Sequence, residues 1–135
     1  MDLLCAQDVD GAAELLGADV VYTNVGLPTL RGRERVRRAF RRTLGRRGAG
    51  FEVYTHAISA NGSTVLTERT DVLKFGPLRI QFWVCGRFEV RDGQIVVWRD
   101  YFDRLNYTAA TIRGMVGIII RPARAKPPAT PEHVD

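Results

Sequence analysis

The sequence predicts an α+β fold, in which a curved mixed, largely antiparallel β-sheet forms a cone-shaped pocket covered by helices. Three observations indicate this fold. Helical patterns occur before Gly45, four strand-like runs follow with no helix between them, and a further helical pattern comes last. The runs are joined by Asn61-Gly62, Gly76-Pro77 and Asp92-Gly93, which are typical hairpin turns and indicate an antiparallel meander. A pocket inside such a cone suits a small apolar ligand.

The N-terminal part is predicted to contain two short helices and one strand. Residues 2–17 have a helical pattern that breaks around 8–11, and Asp10 is a suitable N-cap for a helix over Gly11–Leu16. A short strand over Asp19–Asn24 follows. Gly26-Leu27-Pro28 is expected to end that strand, since these residues are typical of a turn.

The segment Gly32–Leu44 is predicted to be an arginine-rich helix. Between Arg31 and Arg47 lie nine arginines and one acidic residue, so this stretch carries a charge of +8. The chain as a whole carries +5, and the remaining residues therefore sum to −3. We interpret the arginines as a solvated helix surface, with an acidic partner as the alternative. No nucleic-acid partner is expected, because no aromatic residues alternate with the arginines and no nucleic-acid motif is present. The core-facing stripe has helical spacing: Val36, Ala39, Phe40 and Leu44.

Four strands and a last helix complete the predicted domain. The expected strands are Phe51–Ser59, Thr64–Phe75, Leu78–Val90 and Gln94–Asp103. The last helix is expected over Tyr107–Ile120, and Pro122 ends it. Residues 1–120 are predicted to form a single domain, and residues 121–135 a disordered tail. The residues expected on one side of the last helix are Leu105, Ala109, Ile112, Val116 and Ile119.

Composition excludes several classes of protein. The 135 residues suit one domain, with 45% hydrophobic and 26% charged residues. The longest apolar runs are too short to span a bilayer, and the N-terminal residues lack a signal-peptide pattern, so a cytoplasmic protein is expected. The two cysteines, Cys5 and Cys85, and the two histidines, His56 and His133, form neither a disulfide framework nor a metal site.

Charged residues inside two predicted strands indicate the functional site. Arg69 and Asp71 are two residues apart, so they share a strand face with Leu73 and other apolar residues. Asp100 likewise shares a face with Trp98 and Phe102. Charges on a core-facing side are costly unless they are paired or used.

Five residues therefore form a candidate site around an apolar cavity. Two carboxylates with an arginine between them can act as an acid–base pair, because the arginine can keep one ionised while burial keeps the other protonated. Tyr22 and Asn24 share a face of the first strand and complete the set. The alternative is a structural ion-pair network within the sheet. The five candidates are Tyr22, Asn24, Arg69, Asp71 and Asp100.

Three segments carry a resemblance to a known family. They are Asp19–Asn24 (DVVYTN), Thr67–Leu73 (TERTDVL) and Trp98–Asp103 (WRDYFD). In this order they resemble the three active-site motifs of the limonene-1,2-epoxide hydrolase family, within the NTF2-like/SnoaL-like superfamily of cone-shaped (cystatin-like) folds. Residues 66–103 look especially close to actinobacterial, mycobacterial-type members, and the resemblance covers roughly residues 10–107.

The resemblance implies a role for each candidate. Asp100 would be the base that deprotonates a water held by Tyr22 and Asn24. Asp71 would be the acid that protonates the epoxide oxygen, and Arg69 would bridge the two carboxylates. Water would attack an epoxide carbon in one step, without a covalent intermediate, a cofactor or a metal. The residues implied as the apolar substrate wall are Leu73, Ile80, Phe82, Val84 and Phe102.

The resemblance also implies a homodimer formed largely by one face of the sheet, with which the outward Trp83 is compatible. The N-terminal leader and first helix are shorter than usual in the family, so the chain either starts at an internal Met or has a more open pocket on that side. Two other functions remain as alternatives. One is a ketosteroid-isomerase-like or polyketide-cyclase-like enzyme that uses Asp71 or Asp100 as a base. The other is a non-catalytic binding module that uses the segment from Arg31 to Arg47.

Overall fold

The computed structural model of the chain describes residues 1–119. The predicted domain limit at residue 120 and the predicted tail over 121–135 lie outside the described residues. Four helices and six strands follow one another in the described range. Their bounds are α1 Asp2–Cys5, α2 Val9–Glu14, β1 Leu16–Asn24, β2 Leu30–Arg31, α3 Arg33–Leu44, β3 Ala49–Asn61, β4 Thr64–Phe75, β5 Leu78–Arg91, β6 Gln94–Tyr101 and α4 Arg104–Ile119.

The six strands form one mixed sheet in the order β2-β1-β6-β5-β4-β3. Strands β3 to β6 are the predicted antiparallel meander, and β1 lies parallel to β6. At the β5–β6 turn both Asp92 and Gly93 have positive φ, as a two-residue hairpin turn of this type requires. Helices α1 to α3 pack on one face, hereafter the inner face, around a core that includes Val36, Phe40 and Trp98. The predicted fold class is confirmed.

The N-terminal elements differ from prediction in their details. Asp8, and not Asp10, caps α2, because its Oδ1 accepts a hydrogen bond from the Gly11 N–H at 2.8 Å. Strand β1 begins at Leu16, which is buried and pairs with Ile95 of β6. The two-residue strand β2 was not predicted, because so short an edge strand has no periodicity of its own.

The arginines of α3 are only partly a solvated surface. Arg37 pairs with Glu14 at 2.6 Å and Arg41 pairs with Asp10 at 2.6 Å, so both connect α3 to α2. Arg33 donates from Nε to the backbone oxygen of Leu16 at 2.7 Å. These three arginines hold α2 and the start of β1 against α3.

The apolar side of α4 is not the side that packs on the sheet. The helix begins at Arg104 and packs along the part of β5 that β6 leaves uncovered, since β6 pairs only with Cys85–Arg91. A Cβ added to Gly114 would lie 2.4 Å from the backbone oxygen of Arg79, so only a small residue allows this approach. Ala110 and Gly117 are buried on the same side. The five residues that share the apolar side are all exposed: Leu105, Ala109, Ile112, Val116 and Ile119.

None of the helices within residues 1–119 combines the length and apolar character needed to cross a membrane.

Candidate active site

A cavity of about 690 Å³ lies between the helices and the inner face of the sheet. Its size is in the range of small-molecule sites. Most of its wall is apolar, and Phe40 of α3 and Phe51 of β3 are part of it. The polar part of the wall includes all five predicted candidates, which come from three strands: Tyr22, Asn24, Arg69, Asp71 and Asp100.

Strand register brings the two carboxylates to the same arginine. Thr67 of β4 lies opposite Gly86 of β5, and Gly86 in turn lies opposite Asp100 of β6. Arg69 and Asp71 follow Thr67 on the same face of β4. The side chain of Arg69 therefore has to cross β5 to reach β6.

The guanidinium of Arg69 holds both carboxylates. Its Nε lies 2.9 Å from Oδ1 of Asp71, and its Nη2 lies 3.3 Å from Oδ2 of Asp71 and 2.8 Å from Oδ2 of Asp100. Nη1 donates to Oγ1 of Thr67 at 3.1 Å. Arg69 is 1% exposed, and Asp71 and Asp100 are each 5% exposed. Oδ1 of Asp100 is buried and has no hydrogen-bond partner in the described part of the chain.

Tyr22 and Asn24 lie beside Asp100 because β1 runs parallel to β6. Asn24 is the register partner of Asp100, and the Val25 N–H donates to the backbone oxygen of Asp100 at 2.9 Å. Asn24 Nδ2 donates to the hydroxyl of Tyr22 at 2.9 Å. The amide oxygen of Asn24 and the hydroxyl proton of Tyr22 are then available to a water molecule in the cavity.

Burial controls ionisation in this site. Burial raises the pKa of Asp71 to about 6, although the charge and hydrogen bonds of Arg69 oppose the rise. The pKa of Asp100 is raised by burial as well, and Arg69 again opposes it. One cation between two buried carboxylates favours a state in which one of them keeps a proton.

Tyr22 and Arg69 stay protonated near neutral pH. Burial and the negative charge of Asp100 raise the pKa of the Tyr22 phenol, so it remains a hydrogen-bond donor. Burial acts against the charge of Arg69, but Asp100 and Asp71 outweigh it and raise the pKa of the guanidinium. The site thus contains a neutral donor, a fixed cation and two carboxyl groups of raised pKa.

The predicted apolar wall is largely present around the cavity. Leu73, Phe82, Val84 and Phe102 line it, whereas Ile80 is buried but is not among the lining residues. Sequence reasoning missed the lining residues outside the sheet, since strand parity says nothing about where a helix or loop packs. Phe40 had a usable signal, because it belongs to the apolar stripe of α3. The missed residues include Leu27, Pro28, Thr43, Arg104, Tyr107 and Thr108.

Sequence reasoning also missed Gly86, an isolated glycine within β5. It lies between the strand that carries Arg69 and the strand that carries Asp100, so the Arg69 side chain passes over it. Such a glycine often marks a close approach of another group to the backbone.

Within residues 1–119 no cluster of three or more His, Cys, Asp or Glu side chains could hold a metal ion.

Comparison with known proteins supports the resemblance seen in the sequence. The model of the limonene-1,2-epoxide hydrolase catalytic domain matches residues 1–113. Over 125 residues the chain is 48% identical to epoxide hydrolase EphG of Mycobacterium tuberculosis, a match that covers 93% of this chain and 83% of EphG.

Solved structures agree with this assignment. An LEH-like epoxide hydrolase from M. tuberculosis matches with a TM-score of 0.86 and 48% identity, over 93% of this chain and 89% of that chain. A protein of ketosteroid isomerase-like fold from Catenulispora acidiphila has a TM-score of 0.71 at 17% identity, over 81% of this chain and 85% of that chain, and shares the fold alone. The family model and the 48% identity together show that this chain belongs to the limonene-1,2-epoxide hydrolase family.

Proposed function

We propose that this family member hydrolyses an apolar epoxide to a vicinal diol in one step, with Asp100 as base and Asp71 as acid. The observation that carries the proposal is the buried bridge of Arg69 between these two carboxylates, in the wall of an otherwise apolar cavity. The alternative use of a lone aspartate as base, as in an isomerase, does not require such a bridge.

The attacking water is assigned to the cavity side of the Asp100 carboxylate, beside Tyr22 and Asn24. There it can donate one proton to Asp100 and the other to the amide oxygen of Asn24. The Tyr22 hydroxyl can donate to one lone pair of the water oxygen, which leaves the other lone pair for attack. A base of raised pKa suits this role, because its proton affinity is closer to that needed at neutral pH.

The epoxide oxygen is assigned to the side of Asp71. As water attacks one ring carbon, the bond from that carbon to the epoxide oxygen breaks, and the oxygen takes the proton of Asp71. The proton of the water passes to Asp100, so one water and one epoxide give one diol. Turnover ends with Asp100 protonated and Asp71 ionised, and exchange of protons with solvent restores the starting state. The pKa of Asp71, at about 6, allows it to be the acid in mildly acidic and neutral solution.

A panel of terpene, fatty-acid and sterol epoxides and styrene oxide tests the activity. Limonene-1,2-epoxide is included because we propose that the enzyme is of the limonene type. The expected result is diol formation that survives dialysis against a chelator, because side chains supply both the acid and the base. Absence of diol from every member of the panel would contradict the proposal.

A single-turnover reaction in ¹⁸O-labelled water, with enzyme in excess, tests the absence of a covalent intermediate. One-step attack predicts that the first diol formed carries the label. A carboxylate that attacked the epoxide would instead transfer one of its own unlabelled oxygens to the first product. Unlabelled diol in the first turnover would therefore exclude the one-step mechanism.

We propose further that the protein is a cytoplasmic homodimer whose subunits meet through the outer face of the sheet, opposite the helices. Three large apolar residues are exposed on that face: Leu66, Trp83 and Tyr101. The two unpaired cysteines, Cys5 and Cys85, suit a reducing compartment.

Light scattering coupled to size exclusion tests the dimer. Trp83→Arg should give a monomer, whereas Ile112→Arg on the exposed face of α4 should leave the dimer intact. A monomeric wild-type protein would refute the dimer, and dissociation by the α4 variant alone would refute the outer-face interface.

A further inference from the structure

The indole of Trp98 is buried with an unpartnered hydrogen-bond donor. Its side chain is 6% exposed, and its Nε1 has no partner among the residues that the structure describes. Buried tryptophan N–H groups usually find an acceptor, since leaving one unpaired costs free energy. Trp98 lines the cavity, so this donor belongs to the surroundings of the catalytic site.

Asp100 offers the matching acceptor. Its Oδ2 is occupied by Arg69, whereas its buried Oδ1 is unpartnered within residues 1–119. Trp98 and Asp100 are two residues apart on β6, so both side chains project from the inner face. One buried donor and one buried acceptor therefore stand side by side on the same strand.

Three aromatic rings fix the orientation of the indole. The ring centroids of Tyr22, Phe40 and Phe88 lie 5.2, 5.6 and 5.3 Å from that of Trp98. Phe88 is also the register partner of Trp98 on β5. An indole enclosed in this way cannot rotate freely, so its N–H has a defined direction.

We propose that Trp98 is a positioning residue whose indole N–H donates to Oδ1 of Asp100. Together with Arg69 on Oδ2, this donor fixes the plane of the carboxylate. The carboxylate held in this plane then accepts the proton of the water assigned to Tyr22 and Asn24. The inference rests on the proposed function, because it takes Asp100 as the base.

The donor also acts on the proton affinity of Asp100. Arg69 and Asp71 of β4 and Tyr22 of β1 are the ionisable groups that interact with it, and Arg104 and Tyr107 of α4 line the same cavity. Burial raises the pKa of Asp100, and Trp98 opposes the rise together with Arg69, as the proposed hydrogen bond requires. An uncharged donor thus supports the ionised base without adding a second cation.

Trp98→Phe tests the proposal, since it keeps an aromatic ring and removes the donor. Without the hydrogen bond, the pKa of Asp100 should rise. In the pH profile of kcat/KM, the acidic limb should then shift to a higher pH by about one unit. At pH values below that limb, kcat/KM should fall about tenfold. The matched control is Phe88→Leu, which loosens the same aromatic cluster and should lower stability with an unchanged limb. A limb that stays in place in Trp98→Phe, or that moves equally in Phe88→Leu, would overturn the proposal.

A second measurement needs neither turnover nor a folded Trp98 variant. In a Trp83→Phe background the one remaining indole N–H resonance, that of Trp98, is followed by NMR against pH. The chemical shift of this resonance should change with pH, with its midpoint at the acidic limb of the kcat/KM profile. Asp100→Asn should abolish the change. A resonance insensitive to pH would overturn the inference even if epoxides are hydrolysed. A titrating resonance in a protein that hydrolyses no epoxide would instead refute the proposed function and leave the hydrogen bond standing.

Discussion

The guanidinium of Arg69 occupies the space in which any residue other than glycine at position 86 would place its Cβ. A Cβ built on Gly86 would lie 2.3 Å from Nη1 of Arg69 and 2.7 Å from Oγ1 of Thr67. Gly86 stands on β5, between the strand that carries Arg69 and the strand that carries Asp100. Its missing side chain leaves the passage through which the arginine reaches across one whole strand.

Gly86→Ala should therefore break the bridge between Arg69 and Asp100. We expect kcat/KM to fall on the order of 10²-fold, as for loss of one preorganised electrostatic contact. The free energy of unfolding should fall by about 3 kcal/mol, because a buried charge loses its partner. Steady-state kinetics and urea unfolding measure the two effects. Gly50→Ala in β3 is the control, since its Cβ would meet only Lys74 at 3.4 Å. Equal effects of the two substitutions would argue against the passage.

Asp100→Asn should lower kcat by about 10²- to 10⁴-fold, because an amide cannot accept the proton of the attacking water. The fold should persist, since Asn still offers an oxygen to Arg69. Asp103→Asn in the same segment is the matched control. Asp103 lies outside the cavity and accepts a hydrogen bond from the Leu105 N–H, which Asn can also accept. Retention of most activity in Asp100→Asn would remove Asp100 from the role of base.

The sheet was predictable because its signals are local. Hairpin turns and alternating residues gave β4 with its observed bounds and placed Arg69, Asp71 and Asp100 on one face. The side on which α4 packs was not predictable in this way. Spacing alone selects the bulky apolar side of that helix, but the close approach to β5 at Gly114 requires the small side.

Within the site, strand parity identified the ionisable residues but not their supports. Phe40 and Tyr107 reach the cavity from helices whose packing depends on contacts distant in sequence. Gly86 was visible as a glycine within a strand, yet its role requires knowing that Arg69 crosses β5. Such a role depends on three strands at once and has no pattern within any one of them.

The ion pairs between α2 and α3 should support stability and not turnover. The double substitution Arg37→Gln with Arg41→Gln removes the contacts to Glu14 and Asp10. Since these pairs are partly or largely exposed, we expect a loss of about 1 kcal/mol in the free energy of unfolding. Turnover should stay within about twofold of wild type.

The control for this pair is Arg38→Gln with Arg42→Gln, because these two exposed arginines have no ion pair within residues 1–119. A large loss of turnover in either double variant would indicate that the basic helix takes part in function. It would favour an acidic partner bound along α3.

Asp71 should make the folded protein less stable as pH rises from about 4 to 6. Its pKa is raised from 3.8 to about 6 by burial, so in this range the folded chain keeps a proton that the unfolded chain has lost. Stability falls with pH wherever the folded state binds more protons, and two pH units correspond to about 3 kcal/mol. The amide that Asp71→Asn introduces has no proton to lose in this pH range. The free energy of unfolding of this variant relative to wild type should therefore improve by about this amount between pH 4 and pH 7, while its activity is lost.

Denaturant unfolding at a series of pH values measures this difference. Glu52→Gln provides a control of opposite sign, because a hydrogen bond from Lys74 lowers the pKa of Glu52 in the folded state. The contribution of Glu52 is present above its unfolded pKa and is lost as pH falls, so Glu52→Gln should lose stability relative to wild type as pH rises. Parallel curves for wild type and Asp71→Asn would mean that the proton of the proposed acid is not held by burial. In that case the site would have to obtain its acid from another group.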